Sequence, residues 1–132
     1  MAVQLSTTVR NARLDAVETA IGTGPILRVR TGAPPADCAA ADSGSVLVSI
    51  SLPSDWASAA SGGSKAFVVP QSGTASGTGT AAHFRIYDSG GSTCHMQGTV
   101  ATSGADLTID NASVTSGQTV TLSSLTLTDA NS

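Results

Sequence analysis

The chain has 132 residues, the size of one domain, and only 11% of them are charged and 3% aromatic. Hydrophobic residues still reach 40%, while Ser and Thr fill 36 positions and Ala another 20; this is not the polar, highly charged composition of a disordered chain. A net charge of −3 with six Lys and Arg residues excludes a nucleic-acid binder that works by neutralising phosphates.

No apolar run reaches the ~18–20 residues that span a bilayer, so no membrane partner is expected. Met1-Ala2-Val3-Gln4-Leu5-Ser6 has neither the basic nor the apolar region of a signal peptide. The expectation is therefore a reducing compartment with Cys38 and Cys94 as free thiols, although a bridge between them stays open. With few aromatics the core must be built from Val, Ile, Leu and Ala. Small side chains bury little area each, at ~25 cal/mol per Å², so burial against copies of itself or a larger scaffold would help such a domain.

The first predicted element is a helix over Thr7–Ile21, with Ser6 as N-cap and Gly22 as the residue that ends it. At 100° per residue, Leu5, Val9, Ala12, Ala16 and Ala20 share one side. Leu14, Val17 and Ile21 form an adjoining apolar side, and Asn11, Asp15, Glu18 and Thr19 are expected in solvent. Arg10 and Arg13 lie on the apolar arc with no acid four residues away, and are expected to find partners elsewhere, on another chain included. The Ala stripe allows close approach to a neighbour.

Everything after Pro25 reads as β. Leu27 and Val29 alternate with Arg28 and Arg30. Val46, Val48, Ile50 and Leu52 alternate with Leu47 and small polar residues. Residues 31–45, with Pro34-Pro35, form a long connection expected to carry contacts. Phe67-Val68-Val69 is a short apolar run stopped by Pro70, and the Gly/Ser/Thr-rich stretch Gln71–Ala81 is expected to be a mobile surface loop.

The clearest hairpin joins Ala82–Asp88 to Thr93–Val100 through Ser89-Gly90-Gly91-Ser92. Pairing Tyr87 with Thr93 would set Phe84 against Met96 and Ile86 against Cys94 in the core, with His95 across from Arg85. Leu107–Ile109 makes a short strand. The last strand runs from Thr119 to Thr128, with a bulge at Ser123-Ser124 where the apolar phase shifts. The predicted fold is mainly β: an antiparallel, jelly-roll-like sandwich with one N-terminal α-helix. Residues 1–24 are helix and linker and 25–132 the sandwich, in one structural unit.

Candidate chemistry is thin. Ala40-Ala41-Asp42-Ser43-Gly44-Ser45 fits the short pattern of aspartic proteases, with Asp88-Ser89-Gly90-Gly91 a looser second copy, but Asp-Ser-Gly is also a common turn and reads as one here. His83 and His95 could share one side of the hairpin, yet two histidines fall short of a structural metal site. Asp106, Asp110 and Asp129 match no calcium-binding spacing. Gly62-Gly63-Ser64-Lys65 resembles the end of a phosphate loop without its first glycine, and reads as a flexible turn. Asn111-Ala112-Ser113 fits a glycosylation acceptor, which matters only in a eukaryotic secretory pathway. Trp56 could stack on a sugar, but a single Trp in a small domain is more often a core or interface anchor. No catalytic residue, cofactor or metal is expected.

Leu5-Ser6-Thr7-Thr8-Val9-Arg10-Asn11-Ala12-Arg13-Leu14-Asp15, Arg30-Thr31-Gly32-Ala33-Pro34-Pro35 and Leu52-Pro53-Ser54-Asp55-Trp56 resemble a family of small virion proteins of tailed bacteriophages and prophages. Gly79-Thr80-Ala81-Ala82-His83-Phe84-Arg85-Ile86-Tyr87-Asp88 is similar to the same family, and the resemblance runs nearly end to end, with Phe67–Thr78 departing from it. It implies a structural protein without catalytic residues, located in the virion and assembled in the bacterial host cytoplasm. The expected function is that of a capsid decoration or cement protein, with a tail or neck adaptor, or a fibre-associated protein, as the alternative. A carbohydrate-binding, adhesin-like module is the more distant reading. Expected partners are the major capsid protein or other virion proteins and further copies of the chain. The expected interface is Val9, Arg10, Ala12, Arg13 and Ala16 on the helix, Trp56, and the 31–45 loop.

Overall fold

Helix α1 spans Thr7–Ile21, and its ends are set by the residues the sequence singles out. The Ser6 hydroxyl accepts the Val9 N–H at 3.2 Å, satisfying one donor that a helix start leaves open. At the other end Gly22 has φ 90°, a conformation that favours glycine, and its N–H donates to Glu18 O at 3.0 Å. The structure is a computed structural model and describes residues 3–128.

Ten strands follow among the described residues: β1 (Ile26–Arg30), β2 (Val46–Ser51), β3 (Ser64–Ala66), β4 (Gln71–Thr74), β5 (Gly79–Thr80), β6 (His83–Tyr87), β7 (Cys94–Ala101), β8 (Leu107–Ile109), β9 (Ser113–Val114) and β10 (Thr119–Thr128). The protein is mainly β with one N-terminal helix, as expected. Eight strands form one curled sheet in the order β2-β1-β6-β7-β8-β10-β3, with β4 also paired to β10; β5 and β9 make a separate ribbon.

All pairs are antiparallel except β7 and β8, which run parallel over two residue pairs. A parallel neighbour normally needs a long crossover. Here residues 102–106 bend back directly, and the Asp106 carboxylate holds the bend by accepting the Thr99 N–H and hydroxyl at 2.9 and 3.1 Å.

The curl brings β4 across β2. A Cβ on Gly73 would meet Ile50 Cγ1 at 2.8 Å and Val48 Cγ2 at 3.2 Å, so this crossing requires glycine. Just beyond, the N–H groups of Ser76 and Gly77 donate to Leu47 O. At the far end of the sheet, Ser58 N–H donates to Ala66 O, and Ser61 and Ser64 exchange backbone bonds beside β3. The stretch Gln71–Ala81, expected as a mobile surface loop, is thus largely ordered into β4 and β5. Its small residues reflect close packing and backbone pairing.

The core gathers one face of each main strand: Leu27 and Val29, Val48 and Ile50, Phe84 and Ile86, Leu107 and Ile109, then Val120, Leu122 and Leu125. The predicted bulge in β10 is present between Leu122 and Ser124, and it keeps Leu122 and Leu125 both buried. The β6–β7 hairpin has a different register from the one expected. Tyr87 pairs with Cys94, Ile86 with Met96, Arg85 with Gln97 and Phe84 with Gly98. A bulge at His95 absorbs one residue and reverses the alternation. Cys94, expected in the core, therefore shares the side of Tyr87 and is half-buried.

The helix packs its Leu14, Val17 and Ile21 side inward but is rotated so that Asn11, Asp15 and Glu18 also bond to the sheet; Asp15 stays exposed, as expected, while Asn11 and Glu18 are half-buried. Ala12, Ala16 and Ala20 are exposed, lying opposite the docked side. The reason for this rotation is a lysine in β3.

Candidate functional site

Lys65 sits in the middle of β3, 1% exposed, and its ammonium reaches the helix. It pairs with Asp15 Oδ1 and Glu18 Oε1, both at 2.8 Å, and donates to Ser58 O at 2.8 Å, which uses its three protons. Burial disfavours the charged form, but the hydrogen bonds to Asp15 and Glu18 outweigh it and raise the Lys65 pKa. The Lys65 hydrogen bond, followed by the Ala60 N–H, lowers that of Asp15. Asn11 Oδ1 accepts the Gly63 N–H at 2.9 Å. Gly62-Gly63 forms the expected turn, closed by the Ser61–Ser64 backbone bonds, and Ser64-Lys65 opens β3; the turn is tied to the helix through Asn11 rather than free. A buried cation must find anions, and the helix acids at i and i+3 present two together.

A second junction lies on the other face of the sheet. In β1 and β6 the non-core positions pair Arg28 with Arg85 and Arg30 with His83. The 31–45 loop folds over this polar face. Arg85, 1% exposed, donates through Nη2 to the carbonyls of Asp37, Cys38 and Ala40 at 3.0–3.2 Å, and through Nη1 to Asp42. Asp42 also accepts from the Tyr87 hydroxyl at 2.5 Å and from Arg30 Nη2 at 3.1 Å. The buried His83 donates through Nδ1 to Gly32 O at 2.7 Å, and Gln97 Nε2 donates to Pro35 O at 2.8 Å. Arg28 stacks over the Tyr87 ring at 4.7 Å.

Asp42 is thus the hub of the loop. The Tyr87 hydrogen bond, with help from Arg85 and Arg30, lowers its pKa against the opposing effect of burial. Asp88 caps its own turn through the Ser92 and Thr93 N–H groups, and the Ser92 bond lowers its pKa. Of the two Asp-Ser-Gly copies, the one at Asp88 is the turn read from the sequence, while Asp42-Ser43-Gly44 is loop with a bend at Gly44. Histidines 83 and 95 are not brought together: His83 lies under the loop, while His95 is exposed on the helix side. Asp106 and Asp110 each accept backbone N–H groups, from Thr99 and Thr121, and Asp129 lies outside the described residues.

Two clefts remain. One, of about 430 Å³, runs between helix and sheet and is lined by Arg13, Leu14, Val17, His95, Met96, Leu127 and Thr128. The other, of about 380 Å³, opens beside the Asp42 hub and is lined by residues 38–42, Arg85, Tyr87 and residues 91–94. Of the expected interface residues, Val9 is 44% exposed and Ala12, Arg13 and Ala16 are exposed on the outer helix face; Arg10 is half-buried, with Nη2 donating to Thr7 Oγ1. Trp56 departs from that set. It is 1% exposed, stacks edge-on with Phe67 at 4.8 Å, and donates from Nε1 to Gly22 O at 2.9 Å, so it anchors the helix end to the core and presents nothing to a partner.

The sequence reading missed Lys65, Arg85 and Tyr87. The available signal was that Arg28, Arg30, Arg85 and Tyr87 occupy alternate positions of strands whose other face is apolar, which collects half of the chain's six cations on one surface. No family model, curated protein or solved structure matches the chain, so its function has to be drawn from these junctions and surfaces.

Proposed function

We propose that the chain is a non-enzymatic virion structural protein of a tailed phage: a capsid decoration protein that binds the major capsid protein and stabilises the shell. The observation that carries this reading is the outer face of α1, where Val9, Ala12, Ala16 and Ala20 lie exposed along one stripe with Arg13 beside them. Bulky side chains do not hold a neighbour off this stripe, and the helix is already held from behind by Lys65. A decoration protein needs such a preformed contact in many symmetric copies. The resemblance to phage virion proteins, which includes this helix, supports the same reading.

The carboxylates of Asp42, Asp88, Asp106 and Asp110 are engaged in holding the loop and bends. All four aromatic side chains, Trp56, Phe67, Phe84 and Tyr87, are at most 5% exposed, which removes the stacking platform that a carbohydrate-binding module would use. The test is quantitative mass spectrometry of purified virions. Copies in proportion to the major capsid protein are expected. A copy number matching a single ring would move the protein to the tail or neck, and absence from particles would overturn the virion reading.

A further inference from the structure

Cys38 and Cys94 come from distant parts of the chain and meet in the cleft beside the Asp42 hub. Cys38 belongs to the 31–45 loop, and its carbonyl accepts from Arg85 Nη2 at 3.0 Å. Cys94 opens β7, opposite Tyr87, and the His95 bulge is what turns it toward this side. Both are half-buried, so a small oxidant can reach them, and neither is bridged. Burial first, and the neighbouring Cys94 thiol second, raise the Cys38 pKa, so exchange at this thiol speeds up as pH rises.

We propose that Cys38 and Cys94 are a redox modification site, forming a reversible intrachain disulfide that locks the 31–45 loop over the arginine face. The oxidant is a low-molecular-weight disulfide of the oxidised glutathione type. One cysteine thiolate attacks it, forming a mixed disulfide and expelling one small thiol. The second cysteine attacks the protein sulfur of that mixed disulfide and expels the other small thiol. The cysteine pair loses two electrons and two protons, and the oxidant's S–S bond is reduced to two thiols. The bridge closes the chain from residue 38 to residue 94 and restricts the unfolded state. This chemistry does not depend on the virion reading.

The experiment treats the purified full chain with oxidised glutathione, alkylates remaining thiols, and reads intact mass, a peptide map and Tm. The expected product is a monomer lighter by two hydrogens, unreactive to alkylation and mapping to a linked Cys38–Cys94 pair. Its Tm should rise by roughly 10 °C and return on reduction. Cys38→Ser and Cys94→Ser should lose both the linkage and the shift. Stable glutathione adducts, disulfide-linked dimers, or thiols that stay alkylatable in the wild-type chain would overturn the site. Linkage with an unchanged Tm would overturn the lock.

Discussion

The two faces of the sheet are held to their coverings by inverted charge arrangements. On the helix side a single buried cation, Lys65, is met by two carboxylates that keep contact with water. On the loop side one partly exposed carboxylate, Asp42, is met by two guanidinium groups buried in the sheet. The helix junction spends every proton of its lysine. The loop junction leaves Arg30 Nε, Arg85 Nε and His83 Nε2 without partners. Which member of an ion pair can return to water decides what its loss costs. If Lys65 is removed, its acids hydrate; if Asp42 is removed, two guanidinium groups stay behind in the interior.

The largest effect in this scheme comes from neither ion pair. Trp56→Ala should cost about 3–5 kcal/mol in urea unfolding, because it opens a core cavity and frees Gly22 O at the helix end. Asp42→Asn should cost about 2 kcal/mol, less than a fully buried pair because the Asp42 side chain is 38% exposed. Hydrogen exchange should then accelerate in residues 31–45 while α1 stays protected. Lys65→Met, which keeps volume and removes the charge, should stay within about 1 kcal/mol. Equal costs for Asp42→Asn and Lys65→Met would break the contrast between the two junctions.

pH sharpens the same contrast from opposite ends. The folded-state pKa of Asp42 is lowered, so its stabilisation is complete above the unfolded value and is lost as pH falls through the folded one. Lys65 is raised, so its contribution is complete below its unfolded value and disappears as pH climbs through the folded one. Asp42→Asn should flatten the acid limb of a stability–pH curve, and Lys65→Met the alkaline limb. The smallest change in monomer stability, within about 0.5 kcal/mol, is expected for Ala16→Glu on the outer helix face. Under the proposed capsid role, a pelleting assay with capsids lacking the protein should nevertheless show that this variant no longer attaches.

What the sequence made legible was local. Ser6 and Gly22 bound the helix, alternation located β1, β2, β6, β7, β8 and β10, and the Ser123-Ser124 phase shift marked a bulge. The rotation of the helix was not legible, because Asn11, Asp15 and Glu18 look solvent-facing until Lys65, some fifty residues away, is known to be buried. For the same reason Asp42 reads as a turn residue and not as a hub. Its partners Arg30, Arg85 and Tyr87 converge only through the register of β1 with β6. Strand β4 escaped notice because its glycine answers to the side chains of β2 and leaves no periodic mark.

The covering of the sheet's two end strands bears on how copies of this chain can crowd together. An open strand edge is a template on which another molecule can add a strand, and crowding favours such unregulated growth. Here the β2 edge is engaged through Leu47 O by Ser76 and Gly77, and the β3 edge is capped by Ser58 and Ser61. At these two places strand addition is opposed, and under the proposed decoration role contacts between copies would run through side-chain surfaces.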